Sequence, residues 1–292
     1  MKSKYLLPAM LFFALNAGAY GMDWPTQDGL MSRNFGWNDH GKPVLGVFFE
    51  VEGPVRSADA GEILFYNDPA NTASRFPSPL GAWVAMDHGD GMVSIYSRFD
   101  QKELPETLSI VEKDTVIASS GKSGWSDTGG VQFSLFDRRE RRWVNPSLII
   151  TPFPDTRPPA ILSVTLSNGN NSNITLTPPP ARNAISQGRY TVFVEVSDTR
   201  EENGDLPLAP FRITCSLNGV DMGSLHLETF STRDGIAMAY RNSLVPVRQV
   251  YAPYPAFEIG DTAFTRGRVT LEIIALDSAQ NPRNTIYWLQ VD

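Results

Sequence analysis

Apolar and polar side chains alternate one by one along most of this chain, and no other feature constrains its fold as strongly. Tyr190, Val192, Val194 and Val196 would share one face of an extended strand, and Val131, Phe133 and Leu135 alternate with Gln132 and Ser134. A period of two puts every second side chain on the same side of a pleated strand. No apolar pattern of period 3.6 persists beyond a few turns. The 23 glycines and 22 prolines cut the alternation into short runs bounded by turn residues. The fold class expected is all-β.

The first half offers strands at Val44–Glu50, Gly61–Tyr66, Ala82–Asp87, Met92–Phe99, Thr115–Ala118, Val131–Asp137 and Trp143–Val144. Residues 153–159, Phe-Pro-Asp-Thr-Arg-Pro-Pro, then form a stiff linker that no sheet accommodates. A second series follows at Ile161–Ser167, Asn173–Thr177, Tyr190–Ser197, Phe211–Asn218, Ser224–Thr229, Ile236–Tyr240, Val269–Leu276 and Thr285–Val291. Short strands at this spacing predict a β-sandwich of immunoglobulin-like type. A length of 292 residues suits about two domains. The division expected is 1–19, 20–153 and 154–292.

Residues 1–19 carry the marks of an export signal. Lys2 and Lys4 precede an apolar run from Tyr5 to Leu15, and Ala17-Gly18-Ala19 supplies small residues for cleavage. The run is too short to span a bilayer, which takes about 20 residues. The mature chain is therefore expected to be exported and soluble, without a transmembrane segment, in the periplasm or envelope of a bacterium. With 25 basic against 32 acidic residues, net charge −7, it lacks the positive excess that a nucleic-acid backbone requires. Its one cysteine, Cys215, can form neither an intrachain disulfide nor a thiolate zinc site. The histidines are His40, His88 and His226.

Between Leu30 and Pro146, eight segments in order are similar to those of the LytM, or lysostaphin-type, zinc endopeptidases that cut peptidoglycan. They are Ser32-Arg33-Asn34-Phe35-Gly36, Gly46-Val47, the hairpin from Pro54 to Ile63, Leu80 to Gly91 with Asp87-His88-Gly89, Ser94 to Phe99, Gly121-Lys122-Ser123-Gly124, Gly130 to Leu135, and Val144-Asn145-Pro146. The resemblance implies a LytM-like (duplicated-hybrid-motif) β-domain ahead of the sandwich. It also implies where zinc and its chemistry would sit. The family's three metal ligands fall at Val44, Phe48 and Gln132, and its two further histidines at Gly130 and Arg98. A catalytic zinc takes three protein ligands and an open water position, and Val and Phe offer no lone pair.

The resemblance thus implies a catalytically degenerate homologue that needs no metal or other cofactor. Its vestigial groove would be formed by Val44, Phe48, Arg98, Gly130 and Gln132. The leading expectation is a regulator or scaffold for cell-wall hydrolysis, with a cell-wall hydrolase or peptidoglycan as partner. The alternatives are a peptidoglycan- or glycan-binding envelope module and, more distantly, an active metallopeptidase with ligands relocated to His40, Glu50 and His88.

Other features carry less chemistry. Gly121-Lys122-Ser123 lacks the earlier glycine of a phosphate loop, since Val116 stands there. Arg138, Arg139, Arg141 and Arg142 form either a solvated hairpin tip or a patch for an anionic partner. Trp37, Trp83 and Trp125 lie near groove-flanking segments, and the Asn67–Pro79 loop is long enough to cover a site. Asp277 to Asn281 is expected to be a side-chain-capped turn.

Overall fold

The computed structural model describes residues 21–68, 78–102, 109–169, 173–201, 204, 206–251 and 255–292. The expected leader 1–19 and most of the Asn67–Pro79 loop lie outside these residues. The described chain is nearly all β, as the alternation predicts. Its helical pieces are a 3-10 turn at Pro146–Leu148 and a single α-turn at Val247–Tyr251.

In the first half, Gly61–Asn67, Ala82–Asp87, Met92–Phe99 and Val131–Asp137 lie side by side in one antiparallel sheet. The far edge of Val131–Asp137 forks. Its first residues pair with Val47–Glu50, which carries Leu30–Arg33 on its other side. Its last residues pair with Arg142–Val144. The expected strand from Val44 is shorter than the alternation suggests. Val44 instead closes a turn, donating to Trp37 O and accepting from Gly36 N. Gly46, just beyond, allows a very close strand approach, because a Cβ there would lie 2.4 Å from Phe133 O.

The second half has two sheets. One runs Val220–Arg233, Arg212–Leu217, Gly267–Leu276 and Pro282–Val291, with Arg182–Ile185 added in parallel at the edge. The other runs Asn173–Thr175, Ala160–Ser167, Gly188–Ser197 and Phe257–Phe264. Their inward faces, including Val192, Val194, Ile213, Leu271 and Ile273, share one apolar cluster. Burying each such side chain is worth about 1.5–3 kcal/mol. Cys215 lies fully buried among them, where desolvation pushes its thiol up to about 12.

The two halves interlock. Arg142–Val144 pairs with Val220–Arg233 through Arg142↔Ser231, Trp143↔Phe230 and Val144↔Thr229, so one sheet continues across the chain. A separate apolar cluster centred on Phe49, Tyr96, Phe99 and Phe133 fills the first half. Each cluster takes a residue from the other half. Phe35 enters the second and stacks on Phe230 at 5.1 Å, and Leu208 enters the first. Asn34 makes both amide contacts with the backbone of Ala209, at 2.7 and 2.8 Å.

The 153–159 segment belongs to no sheet, as its prolines predict, but it is pinned at both ends. Phe153 stacks on Trp24 at 5.1 Å, and the Arg200 guanidinium lies 4.4 Å from the Phe153 ring centre. Asn281 donates to Asp155 O, and Arg283 donates to Pro159 O.

Candidate functional site

Val44, Phe48, Arg98 and Gln132 line one open cavity of about 300 Å³. Strand register brings three of them together. Phe48 lies opposite Gln132, and Gln132 lies opposite Ser97 on the next strand. Gly130 packs behind the floor. Its φ is +153°, and a Cβ there would lie 2.0 Å from Phe49 O and 3.1 Å from Phe48 Cζ, so this position has no room for a side chain.

Arg98 owes its orientation to a β-bulge. Ala82 pairs with Phe99 and Trp83 with Ser97, which leaves Arg98 as the extra residue. Its φ of 73° is left-handed, a conformation rarely adopted by a side chain of this size. The bulge turns the guanidinium into the cavity. There Nε donates to Gln132 Oε1 at 2.8 Å, Nη1 donates to Trp125 O at 2.6 Å, and the Phe48 ring centre lies 5.7 Å away. Nη2 has no protein partner among the described residues. Strain of this kind persists only where surrounding contacts hold it, and it gathers at functional sites.

Residues that the sequence did not single out as groove residues complete the wall: Arg33, Asp39, Lys42 and Asp127. Burial lowers the Arg98 pKa most, and the Arg33 charge lowers it further, while Asp127 and Asp39 act in the opposite sense. The guanidinium remains charged. It is a cation held at some cost, and an entering anion would relieve that cost. Trp125, 78% exposed, stands at the rim. Trp37 packs against the core of the second half instead, and Trp83 packs at a tilt against Phe65, with ring centres 4.8 Å apart.

These residues do not suit a zinc ion. Val44 and Phe48 present carbon, and the Arg98 cation lies over the Phe48 ring. The three histidines are engaged elsewhere. His40 contacts the neighbouring Asp39 at 3.1 Å. Both ring nitrogens of His88 are used, by Ala60 O at 2.8 Å and Ser94 Oγ at 2.6 Å. His226 bonds Ser224 Oγ at 2.9 Å beside the Arg212–Glu228 ion pair. Glu50 lines a different cavity, with Arg200.

Among the described residues, the carboxylates close enough to share a cation are those of Asp155, Asp198 and Asp277, within 4.8 Å of one another. They sit at the junction of the halves. Both oxygens of Asp277 accept from Asn281, at 2.7 and 2.8 Å, which makes the expected capped turn. Asp198 accepts from Thr199 N. Burial, reinforced by the charges of Asp277 and Asp155, pushes the Asp198 carboxyl up to about 8.

At the hairpin tip, Arg138 pairs with Asp87 at 2.6 Å, Arg139 with Asp90 at 2.9 Å and Arg142 with Asp137 at 3.6 Å. Arg141 is exposed at a left-handed φ of 54°. Most of the charge at the tip is thus matched locally.

One protein-family model matches residues 158–292. No curated protein matches the chain. Among solved structures, a mutant catalytic domain of the prophage-encoded M23 protein EnpA from Enterococcus faecalis is similar at 15% identity, covering 40% of this chain and 87% of that one, with a TM-score of 0.34. The catalytic domain of lysostaphin from Staphylococcus simulans is similar at 20% identity, covering 38% and 78%, with a TM-score of 0.29. Csd3 from Helicobacter pylori is similar at 18% identity, covering 45% and 35%, with a TM-score of 0.35.

Proposed function

We propose that this chain is an exported, non-catalytic LytM-like protein that regulates or scaffolds cell-wall hydrolysis through its groove, with an immunoglobulin-like second domain from residue 154. One observation carries this reading. Where the LytM pattern calls for metal ligands and histidines, the groove holds a strained arginine fixed by Gln132 and Trp125, with Nη2 left for a ligand. A guanidinium so placed recognises a carboxylate and has no means of activating water. Its partner would be a cell-wall hydrolase or the stem peptides of peptidoglycan.

Purified protein is expected to hold less than one equivalent of zinc and to leave peptidoglycan intact. Pull-down from an envelope extract, with and without digested peptidoglycan, should retain a hydrolase, and Arg98→Ala with Gln132→Ala should lose it. One-to-one zinc with chelator-sensitive cleavage would overturn the proposal.

A further inference from the structure

The groove is not the only place where this chain shows unspent binding chemistry. On the outer face of the second half, Trp288 is 42% exposed in the middle of the Pro282–Val291 strand. Register fixes its neighbours. Arg182 lies beside it on one side and Thr270 on the other. Two residues along, on the same face, Arg268 lies opposite Gln290. These five residues line a cavity of about 250 Å³. Unlike Arg138, Arg139 and Arg142 of the hairpin tip, the exposed Arg182 and Arg268 have no ion pair or side-chain hydrogen bond among the described residues.

We propose that this face is a second binding site, for an acidic saccharide. The indole offers a flat apolar surface for the C–H face of a sugar ring. The two guanidiniums offer forked donors to a carboxylate. Gln290 and Thr270 supply donors and acceptors suited to hydroxyls. The cavity lies just below the roughly 300–1,000 Å³ of drug-sized sites, so it holds one ring of a longer chain lying across an open sheet. Single-stranded nucleic acid also stacks on aromatics beside arginine. Two arginines match an occasional carboxylate, whereas a polyphosphate needs a longer cationic track along its backbone. This inference concerns a different face and does not depend on the groove.

The test titrates the full chain with three saccharide probes and one oligonucleotide, following tryptophan fluorescence and calorimetry. The saccharides are oligogalacturonate, its methyl ester, and peptide-free glycan strands bearing muramic carboxylates. At least one acidic probe should bind, and the ester should bind about tenfold more weakly, a loss of about 1.4 kcal/mol. Trp288→Ala should remove binding and Trp288→Phe should retain most of it. Arg182→Gln with Arg268→Gln should abolish the preference for acid over ester. Arg98→Ala with Gln132→Ala should bind saccharide as the parent does, so failure of the groove reading leaves this result standing. Equal binding of acid and ester, tighter binding of the oligonucleotide, or no effect of these variants on a correctly folded protein would overturn the proposal.

Discussion

The groove and the junction between the halves are both rich in polar and aromatic side chains, but they use them in opposite ways. In the groove, Arg33, Lys42, Asp39 and Asp127 surround open space, into which Gln132 and Trp125 hold Arg98. At the junction, Phe35, Asn34, Asp198 and Asp277 are withdrawn from water and satisfied within the protein. A chain keeps side chains exposed around a cavity without gaining stability from them. It buries them where they hold parts together. Stability should therefore reside at the junction, and ligand recognition in the groove.

The sharpest way to break this contrast is Phe35→Ala. Although Phe35 belongs to the first half, it fills the core of the second and stacks on Phe230. The variant is expected to lose about 3–5 kcal/mol in denaturant unfolding. A loss of less than 1 kcal/mol would mean that the halves are joined only by their linker.

A second test uses pH. The Asp198 carboxyl lies at about 8 when folded, against an ordinary 3.8. The folded chain therefore binds this proton more tightly than the unfolded chain does. The resulting stability is fully present below the ordinary carboxylate range and is lost as pH rises towards about 8, with a slope of at most about 1.4 kcal/mol per pH unit. Asp198→Asn should flatten that slope in thermal unfolding followed from pH 4 to 9. An unchanged profile would place the junction's pH response elsewhere.

The smallest effects belong to the groove. Arg98→Ala with Gln132→Ala should change stability by no more than about 1 kcal/mol. Arg98→Gly should exceed Arg98→Ala by roughly 1 kcal/mol, because glycine adopts the left-handed φ without strain. If both substitutions were equally stable, the bulge would not be strained.

The sequence made the strands legible wherever alternation ran unbroken, as in Val131–Asp137 and Gly188–Ser197. It hid Phe257–Phe264. The bulge that faces Val192 and Phe193 shifts the phase there, so Phe257 and Ile259 are buried on one parity and Phe264 on the other. One turn of helix at Val247–Tyr251 is too short to show a period. The groove floor was legible through the aligned segments. Its wall was not, because Lys42 and Asp127 read as ordinary turn charges until the fold brings them together. The alternation likewise says nothing of Arg98's bulge, which exists only in the pairing of two strands.

The three residue pairs joining Arg142–Val144 to Val220–Arg233 also have a mechanical meaning. A protein made of two beads on a string swivels, so whatever one bead grips leaves the other free to point anywhere. Here a strand of one half is laced to a strand of the other, and the 153–159 segment is tied down beside the seam. The molecule should turn as one lever. An anchor on the Pro282–Val291 strand would set the direction in which the groove faces, and tension on it would pass strand by strand through Gly267–Leu276, Arg212–Leu217 and Val220–Arg233 to the seam.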